Sequence, residues 1–308
     1  MILRILAYCA LLVPITFTGL AITGRWFRPM DSFSHFFHYY CLAFAGIAIL
    51  AALLKLKGPA VTAVVSLICT ILLLGPAKPF AFAMAKPENG VETGTLKILT
   101  FNLLFANEQV DRVTEYVERQ NPDIVLLQEV SPINGKVVDL LEGYRFHQRC
   151  RVSPVMETVI LSKMEPTSQG CLPNAEAPWM DLSLNGKPVR AMSVHLNWPW
   201  PFGQWPKIDD LRNDLAALPD ERPIILGGDF NAVPWSHAVR TVEDITDSTI
   251  VPGFRVTLYG YNTPFKVPLL VPIDQILLPD GATAQSAIVG PELGSDHRPV
   301  SVTFTLGD

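Results

Sequence analysis

Charge is scarce in this chain, and what there is lies unevenly. Lys, Arg, Asp and Glu make up 17% of 308 residues, against about a quarter in an average soluble domain. From Pro87 onward there are 17 Lys and Arg against 28 Asp and Glu, a net of −11, whereas the first 86 residues hold seven basic side chains and one acid. The larger part of the chain therefore lacks the basic excess that draws a protein to a polyanion. This counts against DNA as the main substrate without excluding a short or lipid-borne phosphate. Cysteine is also scarce. Of five, Cys9, Cys41 and Cys69 fall in apolar runs, which leaves only Cys150 and Cys171 in the remainder. One even pair fits an oxidising compartment, and two unrelated thiols fit as well. No internal repeat or low-complexity segment is present, which excludes a repeat array.

What the chain has in place of charge is long apolar stretches. Mean hydropathy is +0.28, high for a soluble protein, and the excess is N-terminal. Ile5 to Gly24, Ser32 to Leu54 and Gly58 to Ala77 carry no formal charge, and each is near the ~20 residues that cross a bilayer core. One such run alone would equally be a core helix or the apolar part of a signal peptide. Three in tandem with minimal loops predict three transmembrane helices over residues 1–78. His35 and His38 then fall among Phe33, Phe36, Phe37, Tyr39 and Tyr40, an interfacial aromatic belt; a buried metal or proton site there is the less favoured alternative. With the N-terminus inside, Arg4, Lys55 and Lys57 lie inside and Arg25, Arg28, Lys78 and Lys86 outside, so the positive-inside rule does not decide the topology.

Pro87, Glu88, Asn89, Gly90 and Gly94 mark a polar linker over residues 79–95. From residue 96 to 308, strand-like and helix-like patterns alternate. Leu96 to Leu104, Asp123 to Leu127, Thr158 to Leu161, Val189 to Leu196, Pro223 to Leu226, Ile273 to Leu278, Ala282 to Val289 and Val300 to Leu306 read as strands. Glu108 to Gln120 sets Val110, Val113 and Val117 on one helical stripe, with Asn107 as its cap, and Lys207 to Leu218 is a second helix. Strands this apolar are covered on both faces. The expected architecture is stacked sheets with helices outside, in one α/β domain.

Polar residues break these runs at their ends. Asn102 interrupts the first strand, Glu129 closes Ile124-Val125-Leu126-Leu127-Gln128, and His195 closes Ala191-Met192-Ser193-Val194. Asp229 and Asn231 stand two apart, able to share one face of an extended segment, and Gly227 and Gly228 would let backbone approach a ligand. Asp274 lies inside Val271 to Leu278 and needs a cationic partner, which His297, next to Asp296, supplies. Singly, each reads as readily as a structural residue: a surface Glu, a buried Asn making hydrogen bonds, a satisfied core His. Together they are costly to bury unless they bind a metal or carry chemistry. His147 and His237 have no such context. Phosphoester hydrolysis calls for this kind of set: oxygen ligands for a divalent cation, a base for water, and donors for the developing charge.

The six stretches Phe101-Asn102-Leu103, Leu127-Gln128-Glu129, Ser193-Val194-His195-Leu196, Gly228-Asp229-Phe230-Asn231, Ile273-Asp274-Gln275-Ile276 and Gly294-Ser295-Asp296-His297 resemble, in order and spacing, the endonuclease/exonuclease/phosphatase superfamily. That group includes pancreatic deoxyribonuclease, abasic-site endonucleases, inositol polyphosphate 5-phosphatases and neutral sphingomyelinases. The resemblance covers about Leu96 to Leu306. It implies a four-layer α/β/β/α sandwich of two mixed sheets with outer helices, here preceded by the three membrane helices. It also implies roles. Glu129 resembles the main metal ligand, helped by Asn102 and Asp296. Asp229 resembles the residue that orients or deprotonates water, and Asn231 would hold a phosphate oxygen. His297 would contact the phosphate, oriented by Asp274, and His195 would assist the leaving group or bind phosphate. The implied cofactor is Mg²⁺, with Mn²⁺ as the alternative. Many members have His in place of Gln275, and the Trp-x-Gly-Asp-x-Asn and Pro-x-Trp-Cys-Asp-Arg patterns of the inositol 5-phosphatases are missing, which weakens that branch.

The expectation is a phosphodiesterase or phosphatase anchored in the cytoplasmic membrane by three spans, with its catalytic domain outside and a lipid or other membrane-proximal phosphoester as substrate. An extracytoplasmic metal-dependent nuclease is the alternative, and a non-catalytic receptor or scaffold is a third class. Trp198, Trp200, Phe202 and Trp205 follow His195 closely. They would enter the bilayer interface, stack on a substrate, or pack on their own domain. Phe265 to Pro272, also apolar, would flank the same cleft.

Overall fold

The computed structural model describes residues 1–73, 94–260 and 269–307. The expected linker thus lies outside the described residues except for Gly94 and Thr95, as does the part of the Phe265 to Pro272 stretch before residue 269. The chain opens with three apolar helices, α1 (Ile2–Thr23), α2 (Phe37–Leu53) and α3 (Lys57–Leu73), and a 3-10 connector, Arg28–Phe36, leads from α1 into α2. Among the described residues, two segments are long and apolar enough to cross a membrane, Ile2–Thr23 and the continuous Arg28–Leu53. The sequence predicts three. The third, α3, has 17 residues, and the rest of its apolar run, residues 74–77, lies outside the described residues. The helices pack on one another through Leu11, Phe44 and Ala63 and leave Leu12, Leu42, Ile49, Leu53 and Leu72 exposed.

The connector departs from the sequence reading. The aromatic pattern places His35 in an interfacial belt, but Asp31, Ser34 and His35 are buried against the domain that follows. Asp31 and His35 Nε2 find backbone partners there, and Ser34 O accepts from the Trp235 indole, contacts that a lipid interface would not supply.

That domain holds two six-stranded sheets. The first has the order β13-β14-β1-β2-β4-β3, from β1 (Leu96–Asn102), β2 (Ile124–Val130), β3 (Phe146–Ser153), β4 (Met156–Ser162), β13 (Ala282–Val289) and β14 (Val300–Leu306). The second has the order β5-β6-β7-β8-β12-β9, from β5 (Ser168–Leu172), β6 (Ala177–Leu184), β7 (Lys187–His195), β8 (Ile224–Asp229), β9 (Ser248–Ile250) and β12 (Asp274–Pro279). A short hairpin, β10 (Leu258–Gly260) and β11 (Leu269–Val271), stands apart. Ile98, Leu126, Ile160, Met180, Ala191, Ile225 and Ile276 fill the space between the sheets. The outer face of the first sheet is covered by α4 (Val110–Gln120) and α5 (Lys136–Leu140), and that of the second by α6 (Gln204–Ala216) and α7 (His237–Thr246). This is the expected α/β/β/α sandwich of two mixed sheets. The central strands are apolar on both sides because both sides are covered.

Two details position the site. β1 runs parallel to β2, and β7 runs parallel to β8, each pair joined through a crossover helix, so four strand C-termini meet at one end of the sandwich. Gln128, fully buried, donates from Nε2 to Ser193 Oγ (2.9 Å) and Thr100 Oγ1 (3.2 Å), which ties the sheets together just beneath that end. Elsewhere, Cys150 on β3 and Cys171 on β5 form a disulfide, joining the edge strands of the two sheets. Asn107 does not cap α4: the N-cap is Gln109, and Asn107 instead accepts from Gln109 N and donates to Leu293 O.

Candidate active site

The sandwich gathers the sequence-nominated residues at that one end. Asn102 ends β1, Glu129 lies near the end of β2, and His195 and Asp229 end β7 and β8 as register partners. Asp274 starts β12 opposite Asp229. Asp296 and His297 precede β14 and are held by the β10 hairpin, where Tyr259 N donates to Asp296 O and Leu258 pairs with His297.

Two site residues have a left-handed backbone. Glu129 has φ 55° and Asn231 φ 45°, a left-handed conformation that costs a non-glycine residue roughly 1–2 kcal/mol and persists where surroundings over-determine it. Glu129 sits at a register shift of the β2–β4 ladder, between Leu127 and Val130, and the bulge turns its carboxylate inward. Gly228, at φ 152°, is required for a different reason than ligand approach: a Cβ there would lie 1.9 Å from Val194 O on the neighbouring strand.

Two linked groups make up the site. In the first, Glu129 Oε2 accepts from Phe105 N (3.0 Å) and its Oε1 from Asn102 Nδ2 (3.1 Å). The same Asn102 amide donates to Asp229 Oδ2 (2.9 Å), while its oxygen accepts from Leu104 N. Asn102 therefore presents its NH₂, not its oxygen, to the carboxylates, and would have to turn to act as the metal ligand the sequence suggests. His195 Nε2 stands 3.8 Å from Glu129 Oε1 and 3.6 Å from Asp229 Oδ2. In the second group, Asp274 Oδ2 lies 2.8 Å from His297 Nδ1, and His297 Nε2 lies 3.6 Å from Asp229 Oδ2. Asn231 N donates to Asp229 Oδ1 (2.8 Å), and Asn231 Nδ2 to Leu196 O (2.8 Å), leaving Asn231 Oδ1 buried without a partner.

The electrostatics separate the two groups. Burial disfavours a charge on His297, but the carboxylates of Asp274, Asp229 and Asp296 outweigh it and hold the imidazole at about 10, so the ring is a cation at neutral pH. Asp229 is pushed up, first by burial and then by Asp274, against the opposing pull of His297 and His195. Asp296 is likewise raised by burial and by the charges of Glu129 and Asp229, with His297 opposing. Negative charge from Glu129 and Asp229 is thus felt at Asp296, the kind of crowding that a hard divalent cation relieves. Asp229, Asp274 and His297 also offer ligand atoms within 4.8 Å of one another, but a doubly protonated imidazole has no lone pair to give.

Sequence reading does not reach Gln204, whose Nε2 donates to Phe230 O and Asn231 O, or the connector residue Asp31, and it places His35 at the membrane interface instead of against Asn231. Gln204 lies just before the expected helix start, and His35 lies in a run that reads as membrane. A surface cleft of about 750 Å³, lined by Arg190, Arg212, Arg222 and Asp280 among others, is at the far end of the second sheet, away from these residues.

Residues 99–297 match the sequence profile of the Endonuclease/Exonuclease/phosphatase family. The chain belongs to that family. Among solved structures, an endonuclease/exonuclease/phosphatase from Bacteroides vulgatus is 18% identical with a TM-score of 0.58, covering 69% of this chain and 99% of its own. A functionally unknown conserved protein from Enterococcus faecalis is 19% identical with a TM-score of 0.55, covering 69% and 100%. A humanized D. rerio TDP2 is 16% identical with a TM-score of 0.53, covering 69% and 100%. At these identities the likeness is one of fold. In sequence, a Dictyostelium discoideum DNA-(apurinic or apyrimidinic site) endonuclease is 38% identical over 63 residues, which is 20% of this chain and 18% of that protein. The stretch shared with that endonuclease is therefore a small part of either family member.

Proposed function

We propose that this family member is a membrane-anchored, divalent-metal-dependent phosphoester hydrolase. The observation that carries the reading is the cluster itself: Asn102 Nδ2 bridges the Glu129 and Asp229 carboxylates, His195 Nε2 stands 3.8 and 3.6 Å from them, and His297, held by Asp274 Oδ2 at 2.8 Å, lies 3.6 Å from Asp229 on its other side. Glu129 and Asp296, with Asn102 if it turns, would hold Mg²⁺ or Mn²⁺. Bound there, the ion would neutralise charge on the phosphate. Asp229, whose proton affinity burial raises, takes the proton from the attacking water or orients it. His297 meets a phosphate oxygen as a fixed cation, which costs no reorganisation during reaction. Asp274 fixes its ring. His195, at the more open edge beside Glu129, serves the leaving group, and Asn231 fixes the Asp229 carboxylate through its backbone N–H.

For the domain organisation we infer apolar helices over residues 1–78, a linker over 79–95 and the catalytic unit over 96–308. The exposed apolar side chains of α1, α2 and α3 support membrane anchoring. The connector between α1 and α2 touches the domain, so domain and connector share one side of the bilayer. Arg28 forms a two-pronged pair with Asp209 and lies over the Trp205 ring at 4.7 Å, a further tie between connector and domain. The Cys150–Cys171 bond favours an extracytoplasmic domain. Trp198, Trp200 and Phe202 are 41%, 62% and 68% exposed just beyond His195, which favours a lipid or other membrane-proximal phosphoester. A nuclease is the second reading, favoured by the abasic-site endonuclease match.

The test is hydrolysis by the full-length protein in lipid vesicles with Mg²⁺, with and without EDTA, on phospholipids, sphingomyelin and plasmid DNA, with Asp229→Ala as the blank. Lipid cleavage alone supports the reading. DNA nicking alone moves it to the nuclease. Hydrolysis that survives EDTA overturns the metal requirement.

A further inference from the structure

The 3-10 connector between the first two apolar helices lies against residues 230–238, the segment that leaves β8 directly after Asp229. Three of its residues reach that segment from buried positions. The Asp31 carboxylate accepts from His237 N and Ala238 N at 2.9 Å each, at the N-terminus of α7. Ser34 O accepts from Trp235 Nε1 at 2.7 Å. His35 Nε2 donates to Asn231 O at 3.1 Å.

The last contact is the one with a consequence for the site. Asn231 has a left-handed backbone, φ 45°, and hydrogen bonds hold it at both ends. Its carbonyl is fixed by two donors, His35 Nε2 on one side and Gln204 Nε2 (2.9 Å) on the other, which is the full capacity of a carbonyl oxygen. Its N–H, at the other end of the same residue, is the donor that fixes Asp229 Oδ1. Rotation at Asn231 would therefore break two buried hydrogen bonds and withdraw the N–H from Asp229 Oδ1, leaving that carboxylate held by Asn102 at its other oxygen only. A tether would need none of this. Arg28 and Asp209 already join the connector to α6 at an exposed position, whereas His35 is polar, 5% exposed and set beside the apolar cluster of Phe37, Phe44, Val233 and Trp235, a costly placement unless its hydrogen bond matters.

We infer that His35 is a positioning residue of the catalytic site, acting on Asp229 through the Asn231 peptide, and that the connector is a structural part of that site. The inference rests on the hydrolase reading above, so its test carries a readout independent of turnover. Full-length wild type, His35→Ala, His35→Gln and Arg28→Ala would be compared in detergent with Mn²⁺ and bis(p-nitrophenyl) phosphate, alongside amide hydrogen exchange. His35→Ala is expected to lower kcat about tenfold, the equivalent of one net buried hydrogen bond, with KM within twofold. Exchange should quicken at residues 230–236 and stay unchanged in the sheets. His35→Gln, which keeps an N–H donor, should recover most of both, and Arg28→Ala should disturb neither. Wild-type kcat and unchanged exchange in His35→Ala overturn the inference. So does an equal loss in Arg28→Ala, a His35→Gln no better than Ala, or exchange quickened throughout the domain. If wild type hydrolyses nothing, the hydrolase reading fails, and exchange alone decides whether His35 clamps the segment.

Discussion

His297 Nδ1 lies 2.8 Å from Asp274 Oδ2, with both side chains shut off from solvent. The pair joins the start of β12 to the turn before β14, and the nearby carboxylates hold His297 near 10 despite its burial. A histidine whose folded value stands above its ordinary 6.5 stabilises the fold fully below pH 6.5, and that contribution is lost as pH rises through about 10. Activity that needs the cation should follow the same alkaline limb. Asp274→Asn keeps a hydrogen-bonding partner but removes the strongest charge raising His297. The alkaline limb of kcat should then move toward neutral pH and kcat at pH 8 should fall. An unmoved limb would separate it from His297.

Asp229 should be indispensable. It lies 1% exposed at the centre of the cluster, contacted by Asn102, Asn231, His195 and His297. Asp229→Ala is expected to lower hydrolysis by roughly 10²–10⁴-fold, the range of a positioned base, with circular dichroism showing the fold retained and the melting temperature lowered modestly by the loss of the Asn231 N–H and Asn102 contacts. Near-wild-type turnover in this variant would end its assignment as base.

Metal dependence should run through Glu129. EDTA should abolish hydrolysis and added Mg²⁺ should restore it. Glu129→Gln keeps one acceptor oxygen, and so one of the two contacts to Phe105 N and Asn102 Nδ2, and removes the negative charge. The Mg²⁺ concentration for half-maximal rate should rise tenfold or more, on the order seen when a metal site loses a supporting group. An unchanged Mg²⁺ titration would move the ion elsewhere in the cluster.

How far these residues can be read from the sequence depends on where they sit. Asn102, Glu129, His195, Asp229 and Asp274 interrupt central strands that are apolar on both faces, so each stands out against its run. The edges are harder. β3 reads Phe146–Ser153 with alternating polar residues, and β5 is mostly exposed, so neither shows the continuous apolar run that marks the central strands. α7 begins at His237 because Asp31, about 200 residues earlier, supplies acceptors to its first N–H groups alongside the local Ser236 cap. The role of Gly228 is hidden for a related reason. Two glycines before an acid suggest a ligand, whereas the close approach is to Val194 in the next strand. Long-range pairings of this kind leave little local trace.

Gly228→Ala should therefore fail as a fold rather than as a catalyst. A methyl at 1.9 Å from a strand carbonyl cannot be absorbed by a side-chain rotation. β7 and β8 would have to separate, and with them the His195–Asp229 register. The variant should express poorly or melt well below wild type. A soluble variant with a wild-type melting temperature and normal activity would mean that the β7–β8 pair yields more easily than its register implies.

The disulfide offers a prediction about stability alone, because Cys150 and Cys171 lie on edge strands, away from the site residues. The crosslink spans 21 residues. A loop of that length restricts the unfolded chain by about 3 kcal/mol in the chain-entropy account. For a domain of this size that corresponds to roughly 6–12 °C in melting temperature, at 2–4 °C per kcal/mol. Cys171→Ser is the cleaner variant: Cys171 is exposed, whereas Cys150 is 2% exposed, and a free thiol at Cys150 packs as a small apolar group. Wild type with reductant and Cys171→Ser without it should melt together, and reductant should leave the variant unchanged. Hydrolysis at 25 °C should be the same in both. Equal melting of oxidised and reduced wild type would show that the two sheets hold their edges without the bond, and would withdraw the support it lends to an oxidising compartment.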